Sequence, residues 1–162
     1  MHNEAPSSDE RYLGTLSKLW ELATLVTDDM AAGLSAQGLT RARGELLMRL
    51  LLAGQPLTQR TLADLLQVTP RNITGLVDAL EKDGHLHRRP HETDRRATLV
   101  ELTGQGRAAV QRMFDESRQL AVDLLGELDP AALGAFDSTL DGILGRYRDL
   151  AARTQARTTG AS

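Results

Sequence analysis

Apolar positions recur along most of this chain with the period of an α-helix, and along one short stretch with the period of a strand. Between residues 69 and 84, Ile73, Leu76, Val77 and Leu80 fall on one side of a helix at 100° per residue, while Arg71, Thr74, Gly75, Asp78 and Lys82 fall on the other. The first set is expected to pack, and the second to face outward. Both ends of this helix are written in its residues. Thr69 can accept a hydrogen bond from a first-turn amide, Pro70 sits where a missing N–H costs nothing, and Gly84 can take the left-handed conformation that stops a helix.

The period then changes. His85-Leu86-His87-Arg88-Arg89 alternates apolar and polar residues, as does Thr98-Leu99-Val100-Glu101-Leu102, which predicts a hairpin with a long polar tip. Pro90 ends the first strand because it cannot donate to a ladder, and Thr93-Asp94 can turn the chain. The tip carries Asp94, Arg95 and Arg96, with Asp94 placed to orient the Arg96 guanidinium. Upstream, Leu39-Thr40-Arg41 opens a helix through Leu52 that Gly54 and Pro56 close, and Thr58 caps a short helix beginning at Gln59 and Arg60. Two short helices, a glycine stop and a hairpin with an arginine tip form a winged helix-turn-helix, which points to DNA. Gly75 fits that reading, because a mid-helix glycine costs about 1 kcal/mol against alanine and close approach to a groove is one reason to keep it. An amphipathic helix with a merely solvated polar side is the competing explanation.

Three longer helical stripes flank this module. Leu13, Leu16, Trp20, Ala23, Val26 and Met30 mark the first, in a helix over residues 10–34. A second begins at Thr103 and carries Val110, Met113, Phe114, Ser117, Leu120, Ala121, Leu124 and Leu128. A third opens at Asp129-Pro130 and carries Leu133, Phe136, Leu140, Ile143 or Leu144, Tyr147 and Leu150. These stripes serve either an ordinary intrachain core or a second copy of the chain.

The module resembles the MarR family of bacterial transcriptional regulators. The residues that carry the resemblance are Val68-Thr69-Pro70, Leu76-Val77-Asp78, Leu80 through Gly84, Arg88, Asp94-Arg95-Arg96, Leu102-Thr103 and Gly106, and the match extends over residues 12–152. The resemblance implies a mostly α fold with a small β wing. Its parts are a disordered tail at 1–9, a dimerisation helix at 10–38, the winged module at 39–103, dimerisation helices at 104–152 and a disordered tail at 153–162. It also implies a homodimer on an inverted-repeat operator in double-stranded DNA, with half-sites near one helical turn apart. The helix from Thr69 enters the major groove, with contacts from Arg71, Asn72, Thr74 and Gly75, and Arg96 enters the minor groove beside Arg95, braced by Asp94. Arg88 and the Thr58-Gln59-Arg60 helix start complete the DNA-contacting set. Two departures stand out: Gly75 replaces a basic residue common in relatives, and His91-Glu92 replaces an Asp-Pro at the wing tip. The family usually represses and often releases DNA when a small aromatic or phenolic anion enters a cleft. Trp20, Arg41, Arg43 and Arg49 are candidates to line such a cleft, though core packing and surface charge explain them equally well.

Charge distribution supports the same segment. The net charge of the 162 residues is −3, but residues 40–107 hold 11 basic against 8 acidic side chains, while the remainder holds 8 against 14. The absence of cysteine removes disulfide and thiolate chemistry. The first residues carry no apolar run flanked by basic residues, and no run reaches membrane-spanning length, so a cytoplasmic protein is expected. His85 and His87, two apart on a strand with His91, Glu92 and Asp94 nearby, raise a metal site, but a hydrogen-bonded histidine is the commoner outcome and no metal or cofactor is expected. No nucleophile–base spacing, phosphate-cradling loop or paired-carboxylate motif marks an enzyme. The rival is a winged helix that binds only another protein.

Overall fold

The computed structural model describes residues 7–90 and 98–159, and the chain divides into two compact units, Met1–Ser117 and Arg118–Ser162. In order, the elements are α1 (Ser8–Ala36), α2 (Arg41–Ala53), β1 (Leu57–Thr58), α3 (Gln59–Leu66), α4 (Pro70–Lys82), β2 (Leu86–Pro90), β3 (Thr98–Leu102), α5 (Gly104–Leu125) and α6 (Pro130–Thr159). The expected mostly α fold with a small β wing is what the chain adopts.

Each helix of the winged module starts where a threonine can take an amide. Thr40 accepts from Arg43, Thr58 from Thr61 and Thr69 from Asn72, and in α5 the Gly106 amide donates to Thr103. Gly54 and Gly84 hold the left-handed conformation at helix ends, with φ of 64° and 76°. The core gathers residues from six elements: Leu46, Leu47 and Leu50 of α2, Leu62 of α3, Ile73, Val77 and Leu80 of α4, Leu86 of β2, Val100 and Leu102 of β3, and Val110 of α5. Fully burying side chains of this size stabilises by about 1.5–3 kcal/mol each. Leu76, from the same sequence stripe, is only partly buried and packs against the edge of this core.

The sheet is antiparallel, in the order β1-β3-β2, with Leu57 opposite Val100 and Pro90 opposite Thr98. The hairpin strands lie where alternation places them, and Pro90 is the last residue of β2. Two-residue β1 is an addition, too short to alternate. The helix bounds also differ from the sequence-based ones. Ser7 caps α1 through a capping box with Glu10, so the helix begins inside the stretch taken as a tail. At the other end α6 continues to Thr159, since no glycine or proline interrupts it after residue 152. The remaining tail residues, 1–6 and 160–162, lie outside the described residues. Leu128 falls beyond α5, in the turn before Asp129 caps α6 by accepting from the Ala131 and Ala132 amides.

Gly106 shows why a side chain is excluded at one crossing. A Cβ there would overlap the His85 carbonyl oxygen and press on Leu102, where the Thr103 amide also reaches the same carbonyl at 3.1 Å. Gly106→Ala is expected to lower unfolding stability by about 1–3 kcal/mol in a urea titration. An unchanged midpoint would mean that this crossing is looser than the packing indicates.

Candidate nucleic-acid interface

The position of α4 follows from its packing. With Ile73, Val77 and Leu80 buried, Arg71, Asn72, Thr74, Gly75, Asp78 and Lys82 are all exposed. Arg71 and Asn72 stand in the first turn, where the amide dipoles add positive potential. Among the described residues nothing lies within 4 Å of the position a Cβ of Gly75 would take, so no contact with them accounts for its small size.

The preceding helix is set against α4 by a tight turn. Gln67 adopts a left-handed φ of 53°, and the Val68 amide returns to the Ala63 carbonyl at 3.0 Å. A left-handed residue with a side chain is strained, and here it gives the chain the sharp reversal between α3 and α4. Across that reversal the Thr74 hydroxyl lies 3.2 Å from Gln59 Oε1 and 2.9 Å from the Pro70 carbonyl. A shallow groove lined by Gln59, Arg60, Ala63, Asp64, Val68, Pro70, Ile73 and Thr74 runs between the two helices. Thr58, Gln59, Arg60, Thr69, Arg71, Asn72, Thr74 and Gly75 thus share one region of α3 and α4. Thr58 itself takes the Thr61 amide, and Arg60 is exposed.

Arg88, also expected to contact DNA, has its described contacts within the chain. Its guanidinium is turned onto α4, where Nη1 donates to Glu81 Oε2 and Nη2 to Asp78 Oδ1, and its backbone N–H donates to Glu81 Oε1 at 3.0 Å. Burial by itself lowers the Arg88 pKa, but hydrogen bonds and charge from Asp78 and Glu81 outweigh it, so the pKa rises above its already high ordinary value. A raised pKa holds its stabilising contribution below the unfolded value and loses it only in strong alkali, so the arginine stays charged throughout the neutral range. Sequence alone does not signal these partners, because Asp78 and Glu81 read as ordinary polar positions of α4.

The histidines do not form a pair. His85 precedes β2, in the turn after Gly84, and is 7% exposed with no partner for Nδ1 among the described residues. His87 is exposed, and its Nε2 lies 2.8 Å from Glu101 Oε1, which shares its carboxylate with Arg89. No group of three metal-ligating residues forms among the described residues. Asp94, Arg95 and Arg96, with His91 and Glu92, lie outside the described residues. Of the cleft candidates, Trp20 is exposed on α1, Arg43 pairs with Asp83 at 3.2 Å and Arg49 with Glu45 at 3.5 Å. No helix among the described residues is long and apolar enough to cross a membrane.

Two capped helices joined by a tight reversal, followed by an antiparallel hairpin, define a winged helix-turn-helix protein. Residues 39–98 match the model of the MarR family. The chain is 29% identical over 126 residues to the HTH-type transcriptional repressor YetL of Bacillus subtilis, covering 68% of this chain and 75% of YetL. It is 33% identical over 92 residues to the transcriptional activatory protein BadR of Rhodopseudomonas palustris, covering 56% of this chain and 53% of BadR. The fold also matches a mutant of MepR from S. aureus solved bound to an oligodeoxyribonucleotide, with a TM-score of 0.67 and 22% identity over 82% of this chain and 97% of that one.

With open space around it, Gly75→Ala is expected to stabilise the isolated protein by about 1 kcal/mol, measured as a higher urea midpoint. A lower midpoint would reveal an intrachain reason for the glycine.

Proposed function

We propose that the chain is a homodimeric, sequence-specific DNA-binding transcriptional regulator. The observation that carries this reading is the outward face of α4, where Arg71, Asn72, Thr74 and an unobstructed Gly75 form one surface beside Gln59 and Arg60. Such a surface suits the major groove: the first turn supplies donors for base edges, and Gly75 permits close approach. The wing arginine Arg96, braced by Asp94 and accompanied by Arg95, is assigned to the minor groove, whose negative potential favours a permanent cation. The family relationship supports the assignment, as does the capture of MepR with an oligodeoxyribonucleotide.

Exposed apolar residues support self-association. Tyr12, Leu13, Leu16, Trp20, Leu25 and Met30 on α1, and Phe136, Ile143, Leu144, Tyr147 and Leu150 on α6, remain between 38% and 71% exposed. Stripes of this length cover themselves best against a second copy. A twofold dimer then presents two α4 helices to an inverted repeat, with half-site centres roughly 34–36 Å apart. Repression is the assigned direction, in keeping with the name of YetL. The assigned effector is a small aromatic or phenolic anion, which acts by binding more tightly when the two modules are spaced wrongly for DNA.

Binding is measured by anisotropy on a duplex selected by the wild-type chain from a random pool, across a salt series. Arg71→Ala should cost about 1–3 kcal/mol and relax preference at one base pair, whereas Arg96→Ala should reduce the salt slope by about one unit. Gly75→Ala should weaken DNA binding although it stabilises the fold. Unchanged binding in all three variants would remove the proposed reading surface.

A further inference from the structure

We propose that Arg88 is a positioning residue that fixes the root of the wing against the reading helix, so that both engage one duplex in register. The inference rests on the reading of α4 as the DNA-contacting helix. Strand β2 is the outer strand of the order β1-β3-β2, and β3 satisfies only one of its sides. On the other side the Arg88 amide donates to Glu81 Oε1 of α4, so one carboxylate takes the place of a further strand. The guanidinium of the same residue then grips α4 twice, through Glu81 and through Asp78 three residues earlier.

Three hydrogen bonds from one residue therefore join β2 to α4, and their directions constrain both the distance and the angle between the two elements. Planar forked donors suit this task better than a flexible ammonium. The Arg88 side chain is 24% exposed and the Asp78 side chain 60% exposed, so the junction lies at the edge of the outward face rather than in the core. Burial of Leu80 of α4 and Leu86 of β2 in one core already holds the two elements together. What the polar junction adds is orientation. It also offsets the Asp78 charge, which shares the outward face with Thr74 and Gly75 and would otherwise repel phosphates.

The test compares wild type and Arg88→Met on a duplex selected by the wild-type chain, with guanine N7 methylation protection reporting the major groove and a minor-groove cleavage reagent reporting the flanks. Arg88→Met should bind about fivefold more weakly or worse, retain the N7 protection from α4 and lose the flanking minor-groove protection. Should Arg88→Met fail to fold by circular dichroism, Glu81→Gln, which keeps the volume but weakens the fork, should show the same split to a smaller degree. Retention of both protections with a salt slope lower by about one unit would mean that Arg88 meets a phosphate directly, and would overturn the proposal. Equal loss of both protections, or no change in either, would also overturn it. Absence of any protection by the wild-type chain would instead sink the regulator reading on which the proposal stands.

Discussion

Burial of Ile73, Val77 and Leu80 sets the rotation of α4 about its own axis, and the rest of the candidate interface depends on that rotation. A helix that hides one stripe must show the opposite one. On this helix the opposite stripe is short in bulk and rich in hydrogen-bonding groups. Turning α4 by one residue position, about 100°, would bury Thr74 and expose Val77, at a cost of several apolar side chains returned to water. The face that meets DNA in the proposed function is thus selected by the core rather than by any contact of its own.

Tilt is a separate matter from rotation, and several polar contacts govern it. Arg43 of α2 reaches Asp83 at the end of α4, Gln105 of α5 donates to the Asp83 carbonyl at 3.1 Å, and Arg88 of β2 holds Asp78 and Glu81. The C-terminal half of α4 is therefore tied to three neighbouring elements. Its N-terminal turn, with Arg71 and Asn72, projects from that anchored end. Exposed ion pairs add little stability individually, and their value here is geometric.

Much of this fold was legible in the sequence because its determinants are local. Thr40, Thr58 and Thr69 cap helices within three residues of themselves, Gly54 and Gly84 stop them, and alternation from Thr98 to Leu102 needs no distant partner to be read. What escaped involves residues far apart in sequence or conformations with no distinctive residue type. Strand β1 exists only because Leu57 meets Val100, and Gln67 turns left-handed without the glycine or asparagine that usually signals it. The carboxylates that pair with Arg88 also escaped, because sequence reveals charge but not which charges meet. His85 and His87 read as a pair on one strand face, yet β2 begins between them and His85 belongs to the preceding turn. In the candidate site, the outward residues of α4 were legible from periodicity, and the Arg88 fork onto Asp78 and Glu81 was not.

The most direct measurement of the central claim is an amide-resolved NMR titration of the chain with a duplex it selects. The account predicts the largest shifts at Arg71, Asn72, Thr74 and Gly75, with saturation at two chains per duplex. Shifts confined to the exposed leucines Leu52 and Leu65, with the outward face of α4 silent, would contradict it.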